Sequence, residues 1–430
     1  MKADTIARLR AALAPNEFEE SSDLEVEGQK LVGVLVPQDT ASLSRVLAQV
    51  SEQKLPIIVQ GSGSKAGLGN LSDDAQLGLS TKQLSGVRCF EPDDGVVEAS
   101  GGTPLSVIRK TVLAKGWELP IDGGGANATI GGAIATAAYG PRCLAFGPVR
   151  RNVLGAEIVH ASGTMTKCGG RVVKNVTGYD LGKLYTGSLG TLGVIAGAWL
   201  RLHPKPRSIA VRVAEFSQTD EALARGLEVS RRSSSRACVL LSPDVARRAS
   251  LHHSLAASWV LLAEFAGEES ECNEDAAWME KELGAECPEF PSGEAALQYI
   301  DEVRDILTEG VEQAGVRTRV AALPTKLLGA ARPLVKTGAS MIMDPGLGLA
   351  FAQKTGLAPG AETHRFLATA REVAEAAGGN MLIETLPREA KQGVDVYGVG
   401  LDGALEVMRR LKDEYDPDHL LNRGRFVGGI

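Results

Sequence analysis

Residues 122–140 read D-G-G-G-A-N-A-T-I-G-G-A-I-A-T-A-A-Y-G, a stretch with one charged residue and few bulky ones. Because glycine has no Cβ, a flat ring or a pyrophosphate can approach such a backbone closely. Small residues equally allow two segments of the protein itself to pack tightly. The stretch therefore predicts either a cradle for a ligand or close internal packing.

A second glycine-rich segment follows a predicted strand at residues 55–59. Its sequence, Q-G-S-G-S-K-A-G over residues 60–67, fits the spelling G-x-G-x-x-G/A of dinucleotide-binding loops. The next residues, L-G-N at 68–70, break a helix rather than start one, so we do not expect the Rossmann mode of pyrophosphate binding. Consecutive backbone N–H groups and two hydroxyls still favour phosphate oxygens. A plain tight turn is the alternative.

A third segment covers residues 169–195 and contains G-S-L-G-T-L-G at residues 187–193. It contains Lys174 and Asn175, polar residues in apolar surroundings beside a glycine. Their side chains can hydrogen-bond a ligand ring. The alternative is that they cap the helix predicted from Asp180 onward.

The composition is that of an ordinary globular protein with an excess of glycine. Of 430 residues 50 are glycine, about 12% against an average of about 7%. The net charge of −7, with charges interspersed, gives no signature of nucleic-acid binding. Six cysteines without a C-x-x-C pair argue against a zinc or iron–sulfur site. No apolar run reaches the length of a transmembrane helix. We therefore expect a cytoplasmic protein, and the cysteine pattern leads us to expect no metal site.

The three segments, in this order and spacing, resemble the FAD-binding domain of the vanillyl-alcohol-oxidase and PCMH-type flavoproteins. The runs K-N-V-T-G-Y-D-L at 174–181 and L-N-R-G-R at 421–425 are most similar to the E-type FAD-binding subunits of glycolate oxidases. The resemblance implies an α+β protein, with a two-lobed PCMH-type FAD-binding domain and an α/β cap domain. The implied organisation is a polar N-terminal segment (1–30), the FAD-binding domain (31–206), the cap or substrate domain (207–403) and a C-terminal segment that returns to the FAD-binding domain (404–430).

Carried over by position, the resemblance assigns contacts with FAD to all three segments. The pyrophosphate contacts fall on Gly61, Ser62, Gly63, Ser64 and Gly67, those along the flavin and ribityl chain on Thr129, Ile130, Gly131, Gly132 and Thr136, and those near the adenine or the ring edge on Gly190, Gly193 and Val194. Relatives that hold FAD covalently use a His or Cys in these loops. The first loop has neither, so we expect non-covalent FAD, with Cys143 as the one nearby thiol.

The sequence assigns no catalytic base. Catalytic relatives carry G-H-x-G-D-G-N-x-H and E-H-G patterns, and none of the six histidines stands in such a pattern. Hydride transfer from a 2-hydroxy acid to flavin needs a base for the hydroxyl proton. The remaining polar candidates are Lys174, Tyr179, Glu384 and Arg425. A partner would explain the missing base, because the resemblance implies a homologous flavin subunit and an iron–sulfur subunit.

The favoured function is therefore an FAD-binding oxidoreductase subunit that supports the oxidation of a small 2-hydroxy acid, glycolate to glyoxylate. Two alternatives stay open. One is a self-sufficient FAD-dependent dehydrogenase for another 2-hydroxy acid such as D-lactate, and the other is a non-catalytic scaffold that keeps the flavin fold. We expect a cytoplasmic location, with peripheral contact to the inner face of the membrane through partners.

Overall fold

The computed structural model describes residues 2–20, 25–26, 29–72, 74–125, 127–171, 179–249, 258–284, 297–308, 315–357, 360–398 and 402–430. Helices and strands are mixed throughout these ranges, which confirms the predicted α+β class. Within them no helix combines the length and the apolar character needed to cross a lipid bilayer.

The first lobe is a small mixed sheet covered by a helix. Its elements are α1 (Lys2–Ala12), β1 (Phe18–Glu19), β2 (Glu25–Val26), β3 (Gln29–Lys30), β4 (Gly33–Leu35), α2 (Thr40–Glu52), β5 (Ile57–Gln60) and β6 (Leu77–Ser80). Strands β4 and β5 both run parallel to β6, in the order β1-β4-β6-β5. Asp39 caps α2 by accepting a hydrogen bond from the Ser42 N–H at 2.7 Å. Leu43 and Leu47 of α2 pack on this sheet.

The second lobe is an antiparallel sheet with helices on one face. Its elements are β7 (Val87–Glu91), β8 (Val96–Ser100), α3 (Leu105–Leu113), β9 (Trp117–Glu118), α4 (Ile130–Ala135), α5 (Cys143–Phe146), β10 (Val153–Val159), β11 (Met165–Gly169), α6 (Gly182–Tyr185), β12 (Val194–Arg201) and β13 (His203–Pro204). The strand order is β11-β10-β12-β8-β7. Ile108 of α3 and Ile134 of α4 are fully buried against this sheet. This packing fixes the position of the N-terminus of α4, which lines the candidate site.

The cap is built on a seven-stranded sheet. Its elements are β14 (Ser208–Phe216), α7 (Thr219–Ser230), β15 (Ser235–Leu241), α8 (Pro243–Arg248), β16 (Trp259–Gly267), α9 (Glu269–Leu283), α10 (Leu297–Thr308), β17 (Val316–Ala321), α11 (Leu327–Lys336), β18 (Ser340–Asp344), β19 (Leu349–Lys354), α12 (Ala361–Ala376), β20 (Asn380–Thr385) and α13 (Arg388–Lys391). The order is β14-β16-β15-β18-β19-β17-β20. The described pairings are all antiparallel. Strands β17 to β20 with α11 and α12 form a ferredoxin-like unit, so alternating helices and strands here do not produce a parallel sheet.

Buried charges join the cap to the second lobe. Arg142 donates to Glu264 on β16 at 3.0 Å and to Asp301 on α10 at 2.7 Å. Arg236 of β15 pairs with the same Glu264 and, at 2.9 Å, with Glu118. Buried ion pairs stabilise a structure only when their geometry is accurate. Because these ion pairs require accurate placement of both partners, the network favours one orientation of the cap on the second lobe.

After the cap the chain returns to the first lobe through α14 (Asp402–Tyr415). Leu420 and Leu421 lie in the core of that lobe, and Leu421 forms a bridge with Ile57 of β5. The fully buried Lys412 donates to Asp416 at 2.6 Å and to the carbonyl of Thr191 at 2.8 Å. The predicted domain boundaries at 30, 206 and 403 stay predictions, and these contacts agree with a C-terminal segment that returns.

Candidate functional site

A cleft lies where the loop after β5, the start of α4 and the loop before β12 meet. Its wider part holds about 650 Å³ of space, and its continuation toward β12 holds about 370 Å³. The two parts share Gly61, Gly132 and Asn422 among their walls. Both volumes include space that is open to solvent, so the cleft is accessible from outside.

The loop after β5 presents unused backbone donors to this cleft. Within the described part of the chain, none of the N–H groups of residues 61–65 donates a hydrogen bond, and all five residues line the cleft. Gly63 has φ +83°, and a Cβ there would approach only Gln60, at 3.7 Å. Gly63 is therefore required for backbone conformation rather than for packing. Consecutive free N–H groups form the kind of concavity that binds phosphate oxygens.

Thr129 connects the first two glycine-rich segments. Its hydroxyl accepts the N–H of Gly132 at 3.2 Å and so caps α4. A Cβ on Gly61 would overlap this hydroxyl, so the two segments can approach each other only because residue 61 is glycine. On the next turn the Thr136 hydroxyl donates to the carbonyl of Gly132 at 2.8 Å.

Several glycines at the cleft are also required for internal packing. A Cβ on Gly131 would lie 2.8 Å from the carbonyl oxygen of Gly101. A Cβ on Gly193 would lie 2.5 Å from a methyl group of Ile158. Gly190 has φ +70° and, with a Cβ, would meet the amide of Asn422 at 3.1 Å. Tight internal packing, one of the two alternatives for residues 122–140, is therefore observed at Gly131, and the ligand cradle stays a prediction.

The structure gathers the sequence-predicted FAD contacts in this cleft, with two exceptions. Those on its walls are Gly61, Ser62, Gly63, Ser64, Thr129, Gly131, Gly132, Thr136, Gly190, Gly193 and Val194. Ile130 does not line it, because its side chain is fully buried in the core of the second lobe. Gly67 does not line it either, since it lies beside β20 and its carbonyl accepts a hydrogen bond from Lys391 at 2.7 Å. The contacts of the other residues with FAD stay predictions.

Asn422 is a cleft residue to which sequence reasoning assigned no role. It has φ +46° and lines both parts of the cleft. Its Oδ1 accepts the Val59 N–H at 2.8 Å, and its Nδ2 donates to the carbonyl of Leu189. Asn422 thus ties the end of β5 to the third glycine-rich loop. Its place in L-N-R-G-R was the only available signal, and that signal named no partner.

A cluster of charged side chains lies where the cleft meets the cap. Glu384 on β20 is buried, and its carboxylate lies 3.8 Å from Lys65 Nζ, 3.8 Å from Arg317 Nε and 3.6 Å from Arg319 Nη1. Burial alone would raise the pKa of Glu384, but the three cations outweigh burial and lower it. Burial in turn lowers the pKa of Lys65. Three cations around one carboxylate leave an excess of positive charge beside the cleft.

The polar residues considered for catalysis divide between the site and the surface. Tyr179 is 94% exposed, and Lys174 lies outside the described residues, as do Asn175, His252 and His253. Arg425 lines the cleft, and its guanidinium donates to the carbonyls of residues 66 and 68. Among the described residues, no three of His, Cys, Asp and Glu are grouped to hold a metal ion.

Residues 32–169 match a family model described as an FAD binding domain. The chain is 38% identical to the glycolate oxidase subunit GlcE of Escherichia coli, over 39% of this chain and 48% of the relative. It is 32% identical to the D-lactate dehydrogenase of Archaeoglobus fulgidus, over 46% of this chain and 45% of the relative. The matches thus span less than half the length of these curated relatives.

A solved structure extends the comparison to the cap. A structure of alkyldihydroxyacetonephosphate synthase superposes with a TM-score of 0.67 over 97% of this chain and 84% of that chain, at 15% identity. At this identity the likeness concerns the fold alone, and it includes the cap, which lies outside the residues that match the family model. The comparisons therefore show that residues 32–169 are similar to an FAD binding domain and that the whole chain shares the fold of this solved structure.

Proposed function

We propose that this chain binds FAD non-covalently in the cleft and takes part in the oxidation of a small 2-hydroxy acid, with glycolate as the favoured substrate. The observation that carries the proposal is the position of the charged cluster. Lys65 belongs to the phosphate-binding loop and lines the cleft, and its Nζ also approaches Glu384 of the cap. The cluster therefore offers a carboxylate a binding place beside the cofactor.

The residues on the cleft walls fit the shape and charge of FAD. The free N–H groups of residues 61–65 suit the pyrophosphate, and the buried guanidinium of Arg425 adds positive charge to the same wall. The glycines at 131, 132, 190 and 193 add bare backbone to the remaining walls. When bound, FAD would accept the two electrons that leave with the hydride of the substrate C–H bond.

Arg319 is the member of the cluster best suited to bind the substrate carboxylate. Its guanidinium donates no hydrogen bond to any described residue, and its side chain is 26% exposed. Arg317, by contrast, already donates to the carbonyls of Ile306 and Leu307, at 3.0 and 2.8 Å. A guanidinium with free donors can bind a carboxylate through two parallel hydrogen bonds.

Non-covalent binding is supported by the environment of Cys143. This thiol lies in α5 and is buried, and it is not among the residues on the cleft walls. Burial raises the pKa of the Cys143 thiol to about 12. Since the thiolate is the reactive form, the thiol is a poor nucleophile at neutral pH.

We further propose a cytoplasmic subunit that works with a homologous flavin subunit and an iron–sulfur subunit, in peripheral contact with the inner face of the membrane. The support is the similarity to relatives named as glycolate oxidase subunits, GlcE of Escherichia coli and GlcD of Bacillus subtilis. The second candidate is a self-sufficient dehydrogenase of another 2-hydroxy acid. It is favoured by the similarity to D-lactate dehydrogenase over a comparable part of the chain.

The purified chain should show the visible absorption of flavin, and acid precipitation should release that flavin into the supernatant. Flavin that stays in the pellet would contradict non-covalent binding, and a colourless chain after refolding with FAD would contradict the proposed function. Anaerobic mixing with glycolate, D-lactate and D-2-hydroxyglutarate then separates the candidates. Bleaching by the chain alone supports the self-sufficient enzyme, and bleaching only in the purified complex supports the subunit.

A matched pair of variants tests the carboxylate site. Arg319→Met should raise the KM for the hydroxy acid at least tenfold, because the guanidinium with unused donors is removed. Arg212→Met is the control, since Arg212 lies on β14 and pairs with Glu280 of α9, away from the cleft. Equal KM values in the two variants would refute the assignment of Arg319.

A further inference from the structure

We infer that Lys391 and Arg425 are cofactor-positioning residues, which hold the phosphate-binding loop in its binding conformation through the carbonyl groups of residues 66–69. The inference rests on the proposed binding of FAD in the cleft. It adds that the affinity for the pyrophosphate is set partly by the cap and by the C-terminal segment, and not by the FAD-binding domain alone.

Two buried cations bind four consecutive carbonyl groups of this loop. Lys391 at the end of α13 is 3% exposed, and its ammonium donates to Gly67 at 2.7 Å and to Gly69 at 3.0 Å. Arg425 is 5% exposed, and its Nη2 donates to the carbonyls of Ala66 and Leu68. Hydrogen bonds from ionised donors are stronger than those between neutral groups.

The hydrogen bonds at residues 66–69 bear on the donors at residues 61–65. A loop with glycines at 61, 63, 67 and 69 has many conformations available and pays a high entropic cost when it is ordered. The hydrogen bonds from the two cations order part of the loop before the cofactor binds, and pre-ordering of this kind increases affinity. They also neutralise carbonyl oxygens that would otherwise present partial negative charge close to the pyrophosphate.

Both cations come from parts of the chain outside the segment that matches the FAD binding domain. That match ends at residue 169, whereas Lys391 belongs to the last helix of the cap and Arg425 to the C-terminal segment. A second tie between loop and cap runs through Lys65, which donates to the carbonyl of Leu307 at 3.3 Å. Because the loop is held by the cap, binding of the pyrophosphate and docking of the cap should stabilise each other.

The test compares the affinity of the full-length apoprotein for FAD and for riboflavin, which lacks both phosphates, by quenching of flavin fluorescence. Lys391→Met should raise the Kd for FAD at least tenfold and leave the Kd for riboflavin within twofold of the wild type. Lys354→Met is the matched control, since its ammonium also donates to a backbone carbonyl of the cap, that of Thr337 at 3.1 Å, away from the cleft. The control should bind both flavins like the wild type.

A Lys391→Met variant with native circular dichroism and an FAD affinity within twofold of the wild type would overturn the inference. Equal losses for FAD and riboflavin would also overturn it, because they would indicate general disorder of the cleft. If Lys391→Met does not fold, Lys391→Gln, which keeps a donor, should show the same selectivity with a smaller loss, and the same two outcomes would refute it. A wild-type chain that binds no FAD would instead refute the proposed function.

Discussion

Asp344 should make the protein less stable as the pH rises through 6. It is fully buried on β18, where its carboxylate accepts hydrogen bonds from the Tyr139 hydroxyl at 2.8 Å and from the Leu347 N–H at 2.9 Å. Burial raises the pKa of Asp344 from the ordinary 3.8 to about 6, and these hydrogen bonds only partly oppose the change. The ionisable neighbours that sense the charge are Tyr139, Cys143 and Cys238.

The magnitude follows from the two pKa values. At about 1.4 kcal/mol for each pKa unit, the change from 3.8 to about 6 corresponds to about 3 kcal/mol. Between these pH values the folded state binds a proton that the unfolded state has lost, so the free energy of unfolding falls as the pH rises. The cost is absent below pH 3.8 and complete above pH 6. Asp344→Asn removes the charge and should therefore be more stable than the wild type at pH 8, by up to about 3 kcal/mol.

The assay is urea unfolding of both chains, followed by circular dichroism, at pH 4.5 and at pH 8. The control is Asp244→Asn: burial alone would raise the pKa of Asp244, but hydrogen bonds from Ser242 and Ser340 outweigh burial and lower it. Its effect should have the opposite sign, with the variant losing stability above pH 4. A difference between Asp344→Asn and the wild type that is the same at both pH values would refute the reasoning.

Three further predictions concern the site and the cap. Gly63→Asp should weaken FAD binding at least tenfold relative to the isosteric Gly63→Asn, measured by flavin fluorescence, and equal affinities would show that no phosphate lies there. Arg142→Met leaves Glu264 with less compensation and should lower the free energy of unfolding by about 3–5 kcal/mol in urea titrations; a loss below about 1 kcal/mol would contradict this. Asn422→Ala should raise the Kd for FAD several-fold and leave Tm within a few degrees, whereas a large fall in Tm with unchanged affinity would assign Asn422 to folding.

Local sequence signals predicted the elements whose causes are local. The spacing of Leu43, Val46, Leu47 and Val50 predicts a helix with one apolar face, and α2 has this face. Asp39 and Thr40 are both N-cap candidates by residue type, and the structure has Asp39 as the cap. The strand β20 spans residues 380–385, whose three central residues, 381–383, are apolar. The antiparallel order of the cap sheet could not be predicted, because the pairing of β17 with β20 joins segments about sixty residues apart.

The cleft could be predicted in part, for a related physical reason. Free backbone donors in a loop are a property of nearby residues, and residues 61–64, which the sequence assigns to the pyrophosphate, do line the cleft, whereas Gly67 does not. Lys391 contacts that loop from 324 positions away along the chain. Asn422 contacts the strand before the loop from 363 positions away. Such contacts leave no spacing pattern in a single sequence, and only the folded chain reveals them.

Glycines at the cleft meet two different requirements, internal packing and backbone conformation, which the sequence alone does not distinguish. At Gly131 and Gly193 a side chain would collide with the protein itself, with the carbonyl of Gly101 or with Ile158, so substitution there acts first on stability. At Gly63 there is space for a side chain, and the requirement is the left-handed backbone that leaves N–H groups unpaired. Because bare backbone serves packing at Gly131 and Gly193, glycine content alone overstates the surface that we propose for the cofactor. The backbone donors that we propose for the cofactor lie in the loop 61–65. We infer that the conformation of this loop depends on Lys391 and Arg425, which lie outside the segment that matches the FAD binding domain.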